Sequence, residues 1–365
     1  MSKPISDMSL QEKAEIFPIK EARAIAKRFT TPNPWIYWAD YTASAVIAWT
    51  SFIYAVLAEP FTIDQIVAIV VAAFAFLRAL IFIHELAHLR AGTFKWFSLF
   101  WNFTCGFAMM VPRYAYTGVH TDHHKPQFYG TSNDGEYLPL GAGSPWRIPL
   151  YVLEGVYLPL LLILRFLVVT PVSYIFPPLR KIVWERMSSL VIDMNYIRPA
   201  ASKRDGVDWK LQEFFTVVYV VAAAALIALG YLPLATFFVW YAVVFLALVV
   251  NAIRTLGAHA YRNPGDRPMN KVEEFLDSVD VPGTFLTALW APVGLRFHAT
   301  HHLFPGMPYH ELGKCYKAML EELPEPELYL SSTRKSLPHA IKCLWRDARA
   351  AEAAKASTAT GKGPK

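Results

Sequence analysis

Histidine placement carries the chemistry of this chain. Eight of its eleven histidines fall into three clusters: His84-Glu-Leu-Ala-His88, His120-Thr-Asp-His123-His124 and His298-Ala-Thr-His301-His302. A ninth, His259, stands in Gly257-Ala-His259-Ala-Tyr261, and only His310 and His339 lie elsewhere. Imidazole is the commonest protein metal ligand. Histidines three or four apart on a helix share a face, so His84 and His88 can ligate together. In H-x-x-H-H the first and fourth positions lie on one side, and the fifth is rotated from the fourth by about 100°. Each such segment can therefore present three imidazoles. A single ion takes about four to six ligands, so three clusters point to a centre with more than one ion.

A ligating histidine usually donates its second N–H to a carboxylate or carbonyl. Glu85, Asp122, Asp134, Glu136, Glu273, Glu274, Asp277 and Asp280 are near in sequence, and Glu85 and Asp122 are the first choices for that task. Asn251, two turns before His259, can reach a metal through water or hydrogen-bond within the helices. His310 reads as a residue supporting a ligand, and His339 as a surface residue. An imidazole-rich donor set suits Fe, Zn or Cu. Zinc has no redox chemistry and a hydrolytic site needs only three ligands and an open position. So many histidines beside a membrane point to O2 activation against an unactivated C–H bond of a lipid chain.

The elements that hold these clusters are apolar. Of 365 residues, 54% are hydrophobic, and the mean hydropathy is +0.28. Soluble proteins are nearer about 45–50% apolar. Stretches 36–57, 63–83, 214–229 and 236–253 are predicted to span a bilayer, which takes about 17–25 residues. Connectors 58–62 and 230–234 carry no Lys or Arg. The positive-inside rule then predicts that both termini and every cluster face the cytoplasm. Segments 94–111 and 148–176 are also apolar. A single crossing by either would part the clusters, so both are predicted as re-entrant or interfacial helices. Glu154, Pro159, Arg165 and Pro171 interrupt the second of these. The expected fold class is all-α. Four transmembrane helices would carry a cytoplasmic helical cap, with residues 1–34 before the membrane domain 35–312 and a segment 313–365 with a disordered tail after it.

Other classes fare worse. The three cysteines have no paired spacing, which argues against a disulfide framework or thiolate zinc. Met1 to Lys27 is charged and shows no signal peptide. The net charge of +6 is dispersed and no nucleic-acid reader motif appears. His84–His88 also matches the H-E-x-x-H of zinc metalloproteases, with Glu85 as base. No Asp in a Leu-Asp-Gly-like context supplies the third ligand, and six further clustered histidines would then have no role. A metal transporter would spread ionisable groups along its spans, whereas Arg78 and Asn251 are nearly all the polar content here.

The order H-x-x-x-H, H-x-x-H-H, H-x-x-H-H with two pairs of spans resembles the membrane fatty acid desaturase and hydroxylase superfamily. Residues 294–312, Gly-Leu-Arg-Phe-His-Ala-Thr-His-His-Leu-Phe-Pro-Gly-Met-Pro-Tyr-His-Glu-Leu, are similar to the third box of bacterial acyl-lipid desaturases. The resemblance covers roughly Trp35 to Leu312. It implies two iron ions held by His84, His88, His120, His123, His124, His298, His301 and His302, with His259 as the extra ligand. It also implies an acyl tunnel, O2 as co-substrate and two electrons from a partner. No His-Pro-Gly-Gly segment of a fused cytochrome b5 is present, so a separate ferredoxin or cytochrome b5 is expected. The first box has three intervening residues, a spacing that points to acyl-lipid or sphingolipid types or to hydroxylases. Thr255 occupies the place where Δ9-type enzymes carry an Asn. On this resemblance the chain is expected to be an acyl-lipid desaturase of the bacterial inner membrane. A fatty acyl, lipid, alkane or carotenoid hydroxylase is the alternative, since both reactions share the first hydrogen abstraction.

Overall fold

The computed structural model describes residues 3–89, 93–201, 209–265 and 267–359. Regular structure among them is helical. The β pairings are isolated bridges, His259 with Ser278 and Asp280 with Phe297 and Thr333. The all-α expectation therefore holds. Two compact units divide the chain. The first comprises Met1–Pro32, Asp122–Val152 and Ala252–Lys365, and the second Asn33–Thr121 and Leu153–Asn251.

Among the described residues, four helices are long and apolar enough to cross a membrane: Ile63–His88, Arg147–Ser173, Trp209–Ala228 and Ala235–Leu256. Three answer to predicted spans. The stretch expected at 36–57 is the 24-residue helix Pro34–Leu57, which falls outside this set. Its tyrosines, tryptophans and Asp40 dilute its hydropathy. Arg147–Ser173, expected to be re-entrant or interfacial, is as long and apolar as a span. It contains Pro159 and ends in a π turn, Leu164–Val169, before Thr170–Ser173. The stretch 94–111 forms the seven-residue helix Lys95–Trp101 and the five-residue π turn Asn102–Gly106. At about 1.5 Å per residue these rise about 18 Å, short of the roughly 30 Å hydrocarbon core.

In the second unit, Pro34–Leu57 and Ile63–His88 pair through buried alanines. Ala45, Ala48 and Ala55 on one helix and Ala68, Ala72 and Ala79 on the other are the small residues that let backbones approach closely. Gln65 locks their connector, accepting from Phe61 N at 2.8 Å and donating to Ala55 O at 3.0 Å. Asp40 accepts both arms of Arg78 at 2.7 and 2.6 Å. Elsewhere in this unit Glu213, fully buried, accepts from Arg165 at 2.7 Å and Tyr174 at 2.8 Å, and pairs with Arg180 at 2.8 Å. A cavity of about 40 Å³ with wholly apolar walls, among them Phe76, Leu80, Met109, Leu162 and Val243, lies inside this unit.

The first unit is polar by comparison. Its short helices Lys271–Asp277, His298–Leu303 and Tyr309–Glu322 enclose buried histidines and carboxylates. Helix Leu337–Ala359 runs into the C-terminal stretch, about 349–365, read from the sequence as a helix end followed by disorder; residues 360–365 lie outside the described residues.

Candidate metal centre

His84 and His88 occupy the last turns of Ile63–His88, and His120 the penultimate turn of Tyr114–His123. In the second unit these three rings stand 4.6–5.1 Å apart, centroid to centroid. Nε2 of His88 lies 2.8 Å from Nε2 of His120. The other face of His120 is held by Tyr116, one turn earlier, whose hydroxyl is 2.9 Å from Nδ1. That leaves Nε2 of His120 directed into the cluster. Glu85 is buried and accepts the Tyr37 hydroxyl at 2.5 Å, with His84 Nδ1 at 3.7 Å.

Six imidazoles converge in the first unit. His123, His259, His298 and His302 offer ligand atoms within 4.8 Å of one another. Nε2 of His298 is 2.9 Å from that of His259 and 3.2 Å from that of His302, and Nε2 of His301 is 3.1 Å from that of His124. Two nitrogens each about 2.0–2.1 Å from one ion stand about 3 Å apart. The Nε2 spacings therefore fit a shared cation. His298-Ala-Thr-His301-His302 is one short helix, so its three rings fan over adjacent faces as the spacing predicts.

The second ring nitrogens of His123 and His259 are anchored. His123 Nδ1 is 2.9 and 3.0 Å from the Asp134 oxygens, and Asp134 also accepts from Gly130 N and Glu136 N, each at 2.9 Å. Tyr129 Oη is 2.9 Å and Ser278 Oγ 3.2 Å from His259 Nδ1. The Ser278 hydroxyl donates to Glu274 O at 2.7 Å and the Tyr129 hydroxyl to Asp277 at 3.3 Å. Both oxygens therefore accept from His259, which places its proton on Nδ1 and its lone pair on Nε2. The backbone fixes the same residue from both sides. Ala260 N donates to Asp277 O at 2.6 Å and Val279 N to Ala258 O at 2.7 Å.

Electrostatics favour neutral, ligating imidazole. Burial, with repulsion from neighbouring histidines, holds His259 and His302 well below the ordinary imidazole value. At His123 burial acts in the same direction, but the Asp134 carboxylate prevails and raises it. Metal binding requires the deprotonated nitrogen, and an Asp-paired imidazole is the more basic ligand. The donors therefore fit a divalent transition metal such as iron.

The other residues expected to support the ligands are placed as follows. Asp122 is half-buried and pairs with Lys125, so Asp134 takes the orienting part expected of it. His310, half-buried, is 3.0 Å from Glu311, and His339 is 3.6 Å from Cys343 Sγ. Asn251 is half-buried on Ala235–Leu256. Sequence reasoning missed Tyr116, Tyr129 and Ser278. Tyr116 was legible four residues before His120 on one helix. Nothing local marks Tyr129, which lies 130 residues from His259.

Comparison with known proteins gives two matches. The fatty acid desaturase family model matches residues 64–334. A ceramide hydroxylase from Caulobacter vibrioides (strain NA1000 / CB15N) is 35% identical over 350 residues, 96% of this chain and 97% of its own length. No solved structure matches. The expected desaturation is thereby corrected. The near full-length relative is a hydroxylase, and the histidine pattern that prompted the desaturase reading is common to both reactions.

Proposed function

The chain belongs to the fatty acid desaturase family, a class of histidine-box diiron oxidoreductases that includes hydroxylases, and we propose that it hydroxylates a lipid acyl chain of the ceramide type. The observation that carries this reading is the match to a ceramide hydroxylase along almost the whole of both chains. The nine imidazoles of His84, His88, His120, His123, His124, His259, His298, His301 and His302 are the ligands we assign to two irons. Bound iron would supply O2 activation for insertion of one oxygen atom into a C–H bond. Electrons come from a separate redox protein of ferredoxin or cytochrome b5 type.

The chain's own residues position and insulate. Asp134, Tyr116 and the Tyr129–Ser278 pair each hold one Nδ1, so that the Nε2 atoms aim inward. Burial of most of these rings keeps bulk water from the reacting centre. The apolar cavity beside Phe76 and Val243 supports an apolar substrate, because its walls hold no group that could retain a water.

Topology follows by parity. His123 and His124 lie with His259, His298, His301 and His302 in one unit. The chain between residues 124 and 259 must then cross the membrane an even number of times. Three helices in that interval are long enough. We infer that Arg147–Ser173 enters and does not cross, because it alone contains a proline and a π turn. The Lys and Arg distribution supports a cytoplasmic position for the histidines and both termini, and the membrane we propose is the inner membrane of a bacterium.

The test is lipid mass spectrometry of ceramide-containing cells that express the chain with a reductase system, beside His301→Ala. Ceramide heavier by one oxygen, with wild type alone, is the expected product. Ceramide lighter by two hydrogens, or no change in either, would overturn the reading.

A further inference from the structure

Glu274 is a carboxylate that the histidine ligand set does not use. It belongs to Lys271–Asp277, whose start is fixed by Asn270 and Glu273 in a reciprocal cap. Its side chain is 0% exposed. Oε2 accepts from Lys271 Nζ at 2.7 Å. Oε1 is buried and accepts no hydrogen bond among the described residues. Glu274 also offers an oxygen within 4.8 Å of ligand nitrogens of His124 and His302. His302 Nδ1, likewise buried, has no hydrogen-bond partner there.

A buried carboxylate oxygen with no donor is costly, and native structures rarely keep one without a function or a bound ion. The Lys271 ion pair holds Oε2 and so orients Oε1. Beside neutral imidazoles, a cation is the partner that would complete it. Mixed histidine and carboxylate donors are moreover the ligand set of non-haem iron oxygenases.

We propose that Glu274 is an oxygen ligand of the metal bound beside His124 and His302, so that the centre is a nitrogen–oxygen site and not an all-imidazole one. This rests on the diiron reading above. The carboxylate places one negative charge against the ion where water is excluded, and it does so from the same helix that anchors His259 through Ser278.

The test uses full-length protein in lipid nanodiscs, loaded with isotopically enriched iron. Wild type is compared with Glu274→Gln, Glu274→Asp and Lys271→Met for iron per chain, the rate of iron loss to a ferrous chelator and Mössbauer spectra. In Glu274→Gln one iron should leave at least about tenfold faster, the scale of loss when a metal-site partner is removed, and one of two quadrupole doublets should change. Lys271→Met, which keeps the carboxylate, should retain both irons. Equal effects of Glu274→Gln and Lys271→Met, or wild-type spectra in Glu274→Gln, would reduce Glu274 to an ion-pair partner and overturn the proposal. Should Glu274→Gln fail to fold, Glu274→Asp decides: it keeps the charge on a shorter arm, so a changed doublet supports ligation and an unchanged one refutes it. A wild type that loads zinc and no iron would overturn the oxygenase reading alone, since the same variants then report zinc retention.

Discussion

Asp134 shows how much of the proposed metal site rests on residues outside the ligand set. It is fully buried, bonded to two backbone N–H groups and aimed at His123 Nδ1. Asp134→Asn keeps the shape and removes the charge that makes His123 a strong donor. Iron affinity should fall about 10–100-fold, read by chelator competition, with helix content unchanged; wild-type affinity would refute the role. Asp280 predicts a pH effect. It accepts from Thr300 N at 3.1 Å and the Thr300 hydroxyl at 2.6 Å, yet burial pushes its carboxyl up to about 7 from an ordinary 3.8. A folded-state value above the unfolded one stabilises fully below about pH 4 and is lost as pH rises through about 7. Thermal stability should therefore drop more between about pH 5 and about pH 8 in wild type than in Asp280→Asn. Parallel curves would remove Asp280 as the cause. The histidines proposed as ligands were legible from spacing alone. Asp134 was one of eight carboxylates in the sequence and stood behind Glu85 and Asp122, because nothing local shows that residues 130–136 turn back onto His123.

At the scale of elements, the segment after His259 depends on close backbone approach. Gly141 N donates to Tyr261 O at 3.0 Å, and a Cβ on Gly141 would stand 2.4 Å from Ala260 O. Gly141→Ala should destabilise by about 1–3 kcal/mol through overpacking, seen as a lower unfolding temperature in detergent. An unchanged midpoint would show that the turn can move. The helices of the second unit instead meet through a buried ion pair, Arg165 and Glu213. Glu213→Leu strands Arg165 and should cost about 3–5 kcal/mol, while Arg165→Met with Glu213→Leu should recover part of it, Arg180 still lacking its carboxylate. Pattern reading found the long helices within a few residues, since apolar runs of that length have few alternatives. It read 148–176 as re-entrant or interfacial because Glu154, Pro159, Arg165 and Pro171 interrupt it, although Arg147–Ser173 is long and apolar enough to cross. In the fold Arg165 is neutralised by Glu213, and the helix absorbs Pro171 after its π turn.

For the molecule as a whole, parity is the testable consequence. Ile175 is exposed just beyond Arg147–Ser173, and Tyr231 is exposed in the connector between Trp209–Ala228 and Ala235–Leu256. In a Cys343→Ser background, Ile175→Cys should react with a membrane-impermeant maleimide from the cytoplasmic side, and Tyr231→Cys from the opposite side. Labelling of both from one side would refute the topology.

Residue types and intervals alone determined the histidine boxes, the helical class and the membrane character. Those properties follow from helical periodicity and hydropathy, which are local. Whether the reaction ends in a double bond or a hydroxyl was beyond the boxes, since both outcomes use the same ligands and the same first abstraction. Tertiary structure decided which carboxylates serve which imidazoles, that Glu274 brings a carboxylate oxygen near His124 and His302, and that residues 124 and 259 belong to one unit. Each of these joins residues far apart in the chain, and only burial and long-range packing, which no local pattern encodes, bring them together.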